Sequence, residues 1–217
     1  MDAVIIFTKY PQNGKVKTRL GKTMGNEFAA GLFKLMAENI FKICLSLPVE
    51  DFSLFLFYSE KNERNSVESW VDKRFSLQPQ EGADLGERMK NAFRFVFKNR
   101  FNKVVIIGTD CPENNTGILL RAFNELLRKN VVIGPSTDGG YYLIGMDKFY
   151  PFLFDDIEWS SNSVFKETIK RIKQNKLTFH LLPELTDIDT EKDLRDWLSK
   201  SNKENEMTKF IDGFGLR

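Results

Sequence analysis

Short apolar runs rich in β-branched and aromatic residues recur along the chain at Val4–Phe7, Ser53–Tyr58, Lys103–Gly108, Val131–Gly134, Tyr141–Gly145 and Thr178–Leu182. Runs of this length, closed by Gly, Pro or polar residues, predict strands. Between most of them the apolar period lengthens to three and four residues, which predicts amphipathic helices. Phe28, Leu32, Leu35, Met36, Ile40 and Ile43 mark one behind a Gly25-Asn26 start, and Leu85, Met89, Ala92, Phe93, Val96 and Phe97 mark another. Residues 118–127 and 164–172 give two more, and Thr190-Glu-Lys-Asp193 has capping-box spacing at the start of a last one.

Strands alternating with helices predict βαβ units and a mostly parallel sheet covered on both faces. Val131–Gly134 and Tyr141–Gly145 are the exception, because the Gly-rich link between them is too short for a helical crossover. They predict an antiparallel excursion and therefore a mixed sheet. The pattern reads as a single domain over 1–198, followed by a tail over 199–217. That tail is polar and expected to be mobile from Ser199 to Glu206, while Phe210 to Leu216 either docks as a patch or stays loose.

Composition narrows the class. The chain has 217 residues with 41% hydrophobic and 29% charged residues, which is ordinary globular usage. A net charge of +2 argues against nucleic acid as a bulk partner. No stretch approaches the ~20 apolar residues of a membrane span, and no signal-peptide pattern precedes the first strand, so a cytoplasmic protein is expected. Cys44 and Cys111 lack metal or disulfide spacing and read as reduced, buried fillers. His180, set in a strand pattern, reads as structural. Charge is uneven, however: residues 1–22 carry a net +4 and residues 184–196 a net −4.

Five loops carry candidate chemistry. Lys9, Lys15, Lys17 and Arg19 surround Gly14 just after the first strand, where open α/β sheets place ligands, and suit phosphate or diphosphate; a solvated basic turn is the alternative. Gln80 to Arg88 places Gly82, Asp84 and Gly86 before a helix whose N-terminus suits an anion and whose glycines admit a base or ribose, unless Asp84 is only an N-cap. Asp110 closes an apolar strand ahead of Cys111-Pro112 and can take Mg²⁺ or Mn²⁺, or else cap the next helix. Asp138-Gly139-Gly140-Tyr141-Tyr142 is hairpin punctuation, or a floor for a hydroxylated acceptor with Asp138 as acceptor or base. Asp187 and Asp189 alternate along an extended segment and so share a face, where both could meet a metal; Asp189 or Thr190 could instead cap a helix. Ser-His-Asp, zinc-finger and Walker patterns are missing.

Six pieces in register, Phe7-Thr-Lys9-Tyr-Pro11 with Gly14-Lys-Val-Lys17-Thr-Arg19-Leu, Asp84-Leu-Gly-Glu-Arg88-Met, Gly108-Thr-Asp110-Cys-Pro112, Gly134-Pro135 with Asp138-Gly-Gly-Tyr-Tyr142, Trp159-Ser and Asp187-Ile-Asp189-Thr, run from about Val4 to Trp197. In these the chain resembles the glycosyltransferase-like proteins of the nucleotide-diphospho-sugar transferase superfamily, the bacterial transferase 1 group found beside radical-SAM and selenodomain genes. The resemblance implies a GT-A-like three-layer α/β/α sandwich and metal-assisted transfer of a sugar from a nucleotide sugar to a small acceptor. It implies Lys9, Gly14, Lys17, Arg19, Gln80, Asp84, Gly86 and Arg88 at the nucleotide, with Lys17 and Arg19 on the phosphates. Asp138, Gly139, Gly140 and Tyr141 would meet the acceptor, and Asp110 with Asp187 or Asp189 would hold magnesium or manganese. Only Asp110 stands where many GT-A glycosyltransferases carry Asp-x-Asp, so a guanylyltransferase-like nucleotidyltransferase is the second reading and a non-catalytic nucleotide-binding module the third.

Overall fold

Alternation within the apolar runs decides the layers. In β1 (Asp2–Thr8), Val4 and Ile6 enter one buried cluster while Ala3, Ile5 and Phe7 enter another, as the two-residue period of a strand requires. The same split recurs in β2 (Phe52–Tyr58) and β4 (Val104–Gly108), so the sheet is buried on both faces. The structure, a computed structural model, describes residues 1–201 and 205–215.

Seven strands form one sheet in the order β3-β2-β1-β4-β6-β5-β7, completed by β3 (Phe75–Pro79), β5 (Val131–Pro135), β6 (Tyr141–Met146) and β7 (Phe179–Leu181). All six predicted runs are strands. β6 runs antiparallel to both β4 and β5, the other pairings being parallel, so the antiparallel excursion expected from the short Gly-rich link is present. β3 was not expected. It is an edge strand with one buried residue, Phe75, and ends on Pro79, which an edge tolerates because no ladder donor is needed there.

The helices α1 (Thr18–Met24), α2 (Asn26–Leu45), α3 (Arg64–Trp70), α4 (Leu85–Lys98), α5 (Thr116–Glu125), α6 (Val164–Gln174), α7 (Glu191–Lys200) and α8 (Glu206–Gly213) flank the sheet. α2, α3 and α5 contribute to the core on one face; α4, α6 and the 3-10 turn at Pro151–Phe154 contribute to the other. This is the three-layer α/β/α sandwich with a mixed, mostly parallel sheet. A third cluster joins α1, α2, α7 and α8 through Leu20, Leu32, Ile188, Leu194, Trp197 and Ile211. Phe210 of α8 seats its ring over Gly31 of α2, where even a Cβ would come within 2.5 Å. The expected mobile segment over 199–206 falls partly on 202–204, which lie outside the described residues. Among the described residues no helix is long and apolar enough to cross a membrane.

Candidate active site

Strand order reverses between β1 and β4, and the carboxyl ends of these strands open a crevice there. β1 delivers Thr8 and Lys9 and β4 delivers Thr109 and Asp110, with the buried Thr8 and Thr109 hydroxyls 3.5 Å apart. β4 ends at Gly108, so Thr109 and Asp110 stand in the loop just beyond it.

The basic loop does not stay a loop. Gln12 to Lys15 closes a turn with Gly14 at φ +74°, a backbone that glycine adopts freely, and α1 starts at Thr18. Arg19 therefore stands exposed on the first turn of α1, not on the loop. Between them Val16 and Leu20 are buried at 3% and 0% exposure, and holding both turns Lys17 into the left-handed region, φ 44° and ψ 45°. For a residue with a Cβ this conformation costs roughly 1–2 kcal/mol. Its effect is to send the Lys17 side chain inward, where it is only 4% exposed.

There Lys17 Nζ lies 2.5 Å from Asp110 Oδ1 and 2.7 Å from Asp189 Oδ1. Burial alone would lower the Lys17 pKa, but the carboxylates of Asp110 and Asp189 outweigh it and hold the ammonium above its ordinary range. The Ile188 N–H donates to the Asp110 carbonyl at 3.1 Å, and the Ile188 side chain is fully buried. Pinning Ile188 this way turns Asp187 and Asp189 to the opposite side of the segment, where both line one cavity with Asp110. Burial, with Asp138 and Asp189 nearby, raises the Asp187 carboxyl to about 6.

The capping alternatives resolve separately for each carboxylate. Asp84 is the N-cap of α4, accepting from Glu87 N at 2.8 Å, and the Glu87 side chain accepts from Ala83 N. The Asp84 carboxylate thus satisfies one of the free N–H groups at the start of α4, while Asp84, Leu85 and Arg88 still line a cleft. Asp110 and Asp189 cap nothing: Asn115 caps α5, and Thr190 with Asp193 forms the capping box of α7. Their carboxylates are left to Lys17.

Two adjoining cavities meet at this cluster. The first, about 510 Å³, is a cleft lined by Lys9, Lys17, Gln80, Asp84 and Arg88. Gln80 is fixed by donating to Thr8 O and Phe57 O, and Arg88 by donating to Gly82 O. The second, about 460 Å³, is lined by Arg19, Asp138, Gly140, Trp159 and Asp187. Asp110, Asp189, Tyr141 and Ser160 border both. Asp138 Oδ1 accepts from Ser136 Oγ at 2.5 Å and from Gly140 N at 2.9 Å, which orients this exposed carboxylate.

Other predicted positions shape walls. Gly86 lets the Trp159 indole lie against α4, and Gly139, at φ +91°, lets the Asn162 carbonyl approach. Tyr142 is core: its ring crosses Gly134 and its hydroxyl donates to Pro183 O at 3.0 Å. Sequence reasoning quoted Trp159-Ser without a role and missed Ser136, Ser161 and Asn162; the turn to which the last two belong holds Ser160 left-handed at φ 66°. No hydrophobic period marks such a turn. Cys44 and Cys111 are buried, and His180 pairs with Glu125, as expected of structural residues. A recess of about 680 Å³ lies among α2, α7, α8 and residues 112–115.

A family model described as an uncharacterized protein conserved in bacteria (DUF2064) matches residues 47–161. A candidate nucleotide-diphospho-sugar transferase from Desulfovibrio desulfuricans G20 is similar at 32% identity and a TM-score of 0.90, with 99% of this chain and 97% of that one covered. A cytidylyltransferase from Leptospira borgpetersenii shares the fold at 16% identity and a TM-score of 0.54, with 99% and 94% covered. A Mycobacterium tuberculosis H37Rv protein solved in complex with manganese does so at 11% identity and a TM-score of 0.54, with 93% and 100% covered. No protein of curated function matches the chain significantly.

Proposed function

We propose that this chain, which belongs to the bacterial DUF2064 family, is a transferase that takes a sugar from a nucleotide-diphospho-sugar and passes it to a small hydroxylated acceptor. The observation that carries the reading is the pair of cavities sharing Asp110 and Asp189, one with Lys9, Lys17 and Arg88 beside its carboxylates and one with four carboxylates around Arg19. A donor fits the first, with its diphosphate toward Lys9, Lys17 and Arg88, and an acceptor fits the second. The acceptor hydroxyl attacks the anomeric carbon, its proton passes to Asp138, and the bond to the diphosphate breaks to release nucleoside diphosphate. Arg19 and Lys17 offset the charge that builds on that leaving group.

The residues suit a magnesium or manganese ion. Two carboxylate oxygens already converge on one cation, Lys17 Nζ, and hard divalent ions are held by one or two carboxylates together with substrate phosphates. Asp110 and Asp189 would hold the ion, with Asp187 beside them, and its charge would favour departure of the diphosphate. A complex with manganese in a protein of the same fold is consistent with this.

Nucleotidyl transfer is the second reading, favoured by the single Asp110 at the end of β4 paired with the distant Asp189. Against it stands the second cavity, where Asp110, Asp138, Asp187 and Asp189 face one cation, Arg19, so a phosphorylated second substrate meets repulsion. Product identity tests the choice. With manganese and a panel of nucleotide sugars, release of nucleoside diphosphate without pyrophosphate formation from nucleoside triphosphates is expected; pyrophosphate made from a triphosphate and a phosphorylated substrate would replace sugar transfer by nucleotidyl transfer.

A further inference from the structure

Lys17 combines a left-handed backbone with a mismatch in burial. Its ammonium is buried while both carboxylates it touches remain about half exposed, at 48% and 44%. Burying an ammonium is costly, and holding it here adds backbone strain. A purely structural cation would gain more from partners buried with it. Instead Asp110 and Asp189 line both cavities, so a solute cation can reach the carboxylates that Lys17 bridges.

Charge points the same way. Lys17 offsets only one of the two carboxylates it bridges, and Asp138 and Asp187 add further negative charge at the second cavity. Exchanging a single positive charge for a double one removes that surplus between Asp110 and Asp189. It also frees an ammonium that already lines the nucleotide cleft. We propose that Lys17 is a resident counter-ion which a divalent cation replaces between Asp110 and Asp189, releasing the ammonium toward the diphosphate. The proposal rests on the reading of Asp110 and Asp189 as cation ligands. Its consequence is that metal and phosphate binding are coupled through one side chain: metal entry supplies the cation that phosphate binding then uses.

The test is a calorimetric titration of manganese alone, without nucleotide, into the parent and Lys17→Met. Loss of a competing cation should make the variant bind manganese about tenfold more tightly or better, the factor matching one charge-assisted contact. A lysine serving only to contact phosphate would leave this affinity unchanged. Equal or weaker manganese binding in the variant overturns the exchange while leaving the metal site standing; failure of both proteins to bind manganese overturns the exchange and the metal site together. A second measurement needs only the parent protein, so it decides the matter even if the variant does not fold. Acylation of Lys17 by acetic anhydride, read by peptide mass spectrometry against the exposed Lys192, should rise severalfold on adding manganese. Unchanged protection of Lys17 at saturating manganese overturns the proposal.

Discussion

Asp110→Asn separates the electrostatic role of the carboxylate from its place in the fold, because the amide keeps the shape and removes the charge. Asp110 bonds to a Lys17 ammonium that is 4% exposed, but the carboxylate itself is 48% exposed and Lys17 keeps Asp189 at 2.7 Å. Breaking a fully buried pair costs about 3–5 kcal/mol, whereas exposed pairs contribute about 0–1 kcal/mol. With one partner half solvated and a second carboxylate remaining, the loss should be about 1 kcal/mol. Relief of repulsion on Asp189 works in the same direction, toward a small effect. For a chain of this size that is a fall in Tm of about 2–4 °C. Binding should suffer more. If Asp110 holds the divalent ion, nucleoside diphosphate measured with manganese should bind roughly ten- to a hundredfold more weakly, the loss of one charged contact worth about 1.5–3 kcal/mol. Calorimetry with UDP and GDP, with and without manganese, reads this directly. Equal affinities in the presence of metal would refute the ligand assignment, and a Tm drop beyond about 8 °C would show that the carboxylate serves the fold instead.

Three further perturbations test separate walls of the site and the fold. Gly86→Ala puts a Cβ 2.0 Å from the Trp159 indole, so it should shift tryptophan emission and cost about 1–3 kcal/mol; unaltered emission and Tm would mean the indole is not seated there. Asp138→Asn should slow transfer to the acceptor by about 10²–10⁴-fold while donor affinity stays within twofold or so, and a loss confined to donor affinity would move Asp138 out of its proposed role. Phe210→Ala removes the ring from Gly31 and should cost about 2 kcal/mol, or about 4–8 °C in Tm, without touching nucleotide binding; a parental Tm would show that α8 adds nothing to the fold.

What the sequence conveyed depended on how much apolar surface each element buries. Five of the six strands were legible because each is a largely buried apolar run, the short and only partly buried β7 because its run is closed by Pro183, and the antiparallel turn of β6 because the link before it is short. α1, α3 and β3 left little trace. α1 and α3 have seven residues each, with only Leu20 and Gly21 buried in the first and only Val67 in the second, so neither completes a periodic stripe. Their helical state is imposed by the tertiary contacts those few residues make, which propensity does not record. α8 likewise rests on Met207, Thr208 and Ile211 against its neighbours, so its polar approach read as tail.

The site was legible as an inventory of residues, not as a set of contacts. Strand ends told which side chains reach the crevice, since a loop that follows a buried strand must emerge at its carboxyl edge. They could not tell which charges meet there. The bond from Lys17 to Asp189 spans 172 residues of sequence, and no local pattern links its two ends. What did hint at it was the charge asymmetry, net +4 over residues 1–22 and net −4 over 184–196. That asymmetry has a physical reading once the sheet is known. β1 and β4 are neighbours, so the segment after β1 and the Asp187–Asp189 segment bonded to Asp110 converge on one crevice. Opposite charges that would each be solvated in an extended chain are brought together in one crevice, where the proposed diphosphate and metal would need both signs. The partners lie 172 residues apart in sequence, so sheet topology and not local sequence assembles the cluster.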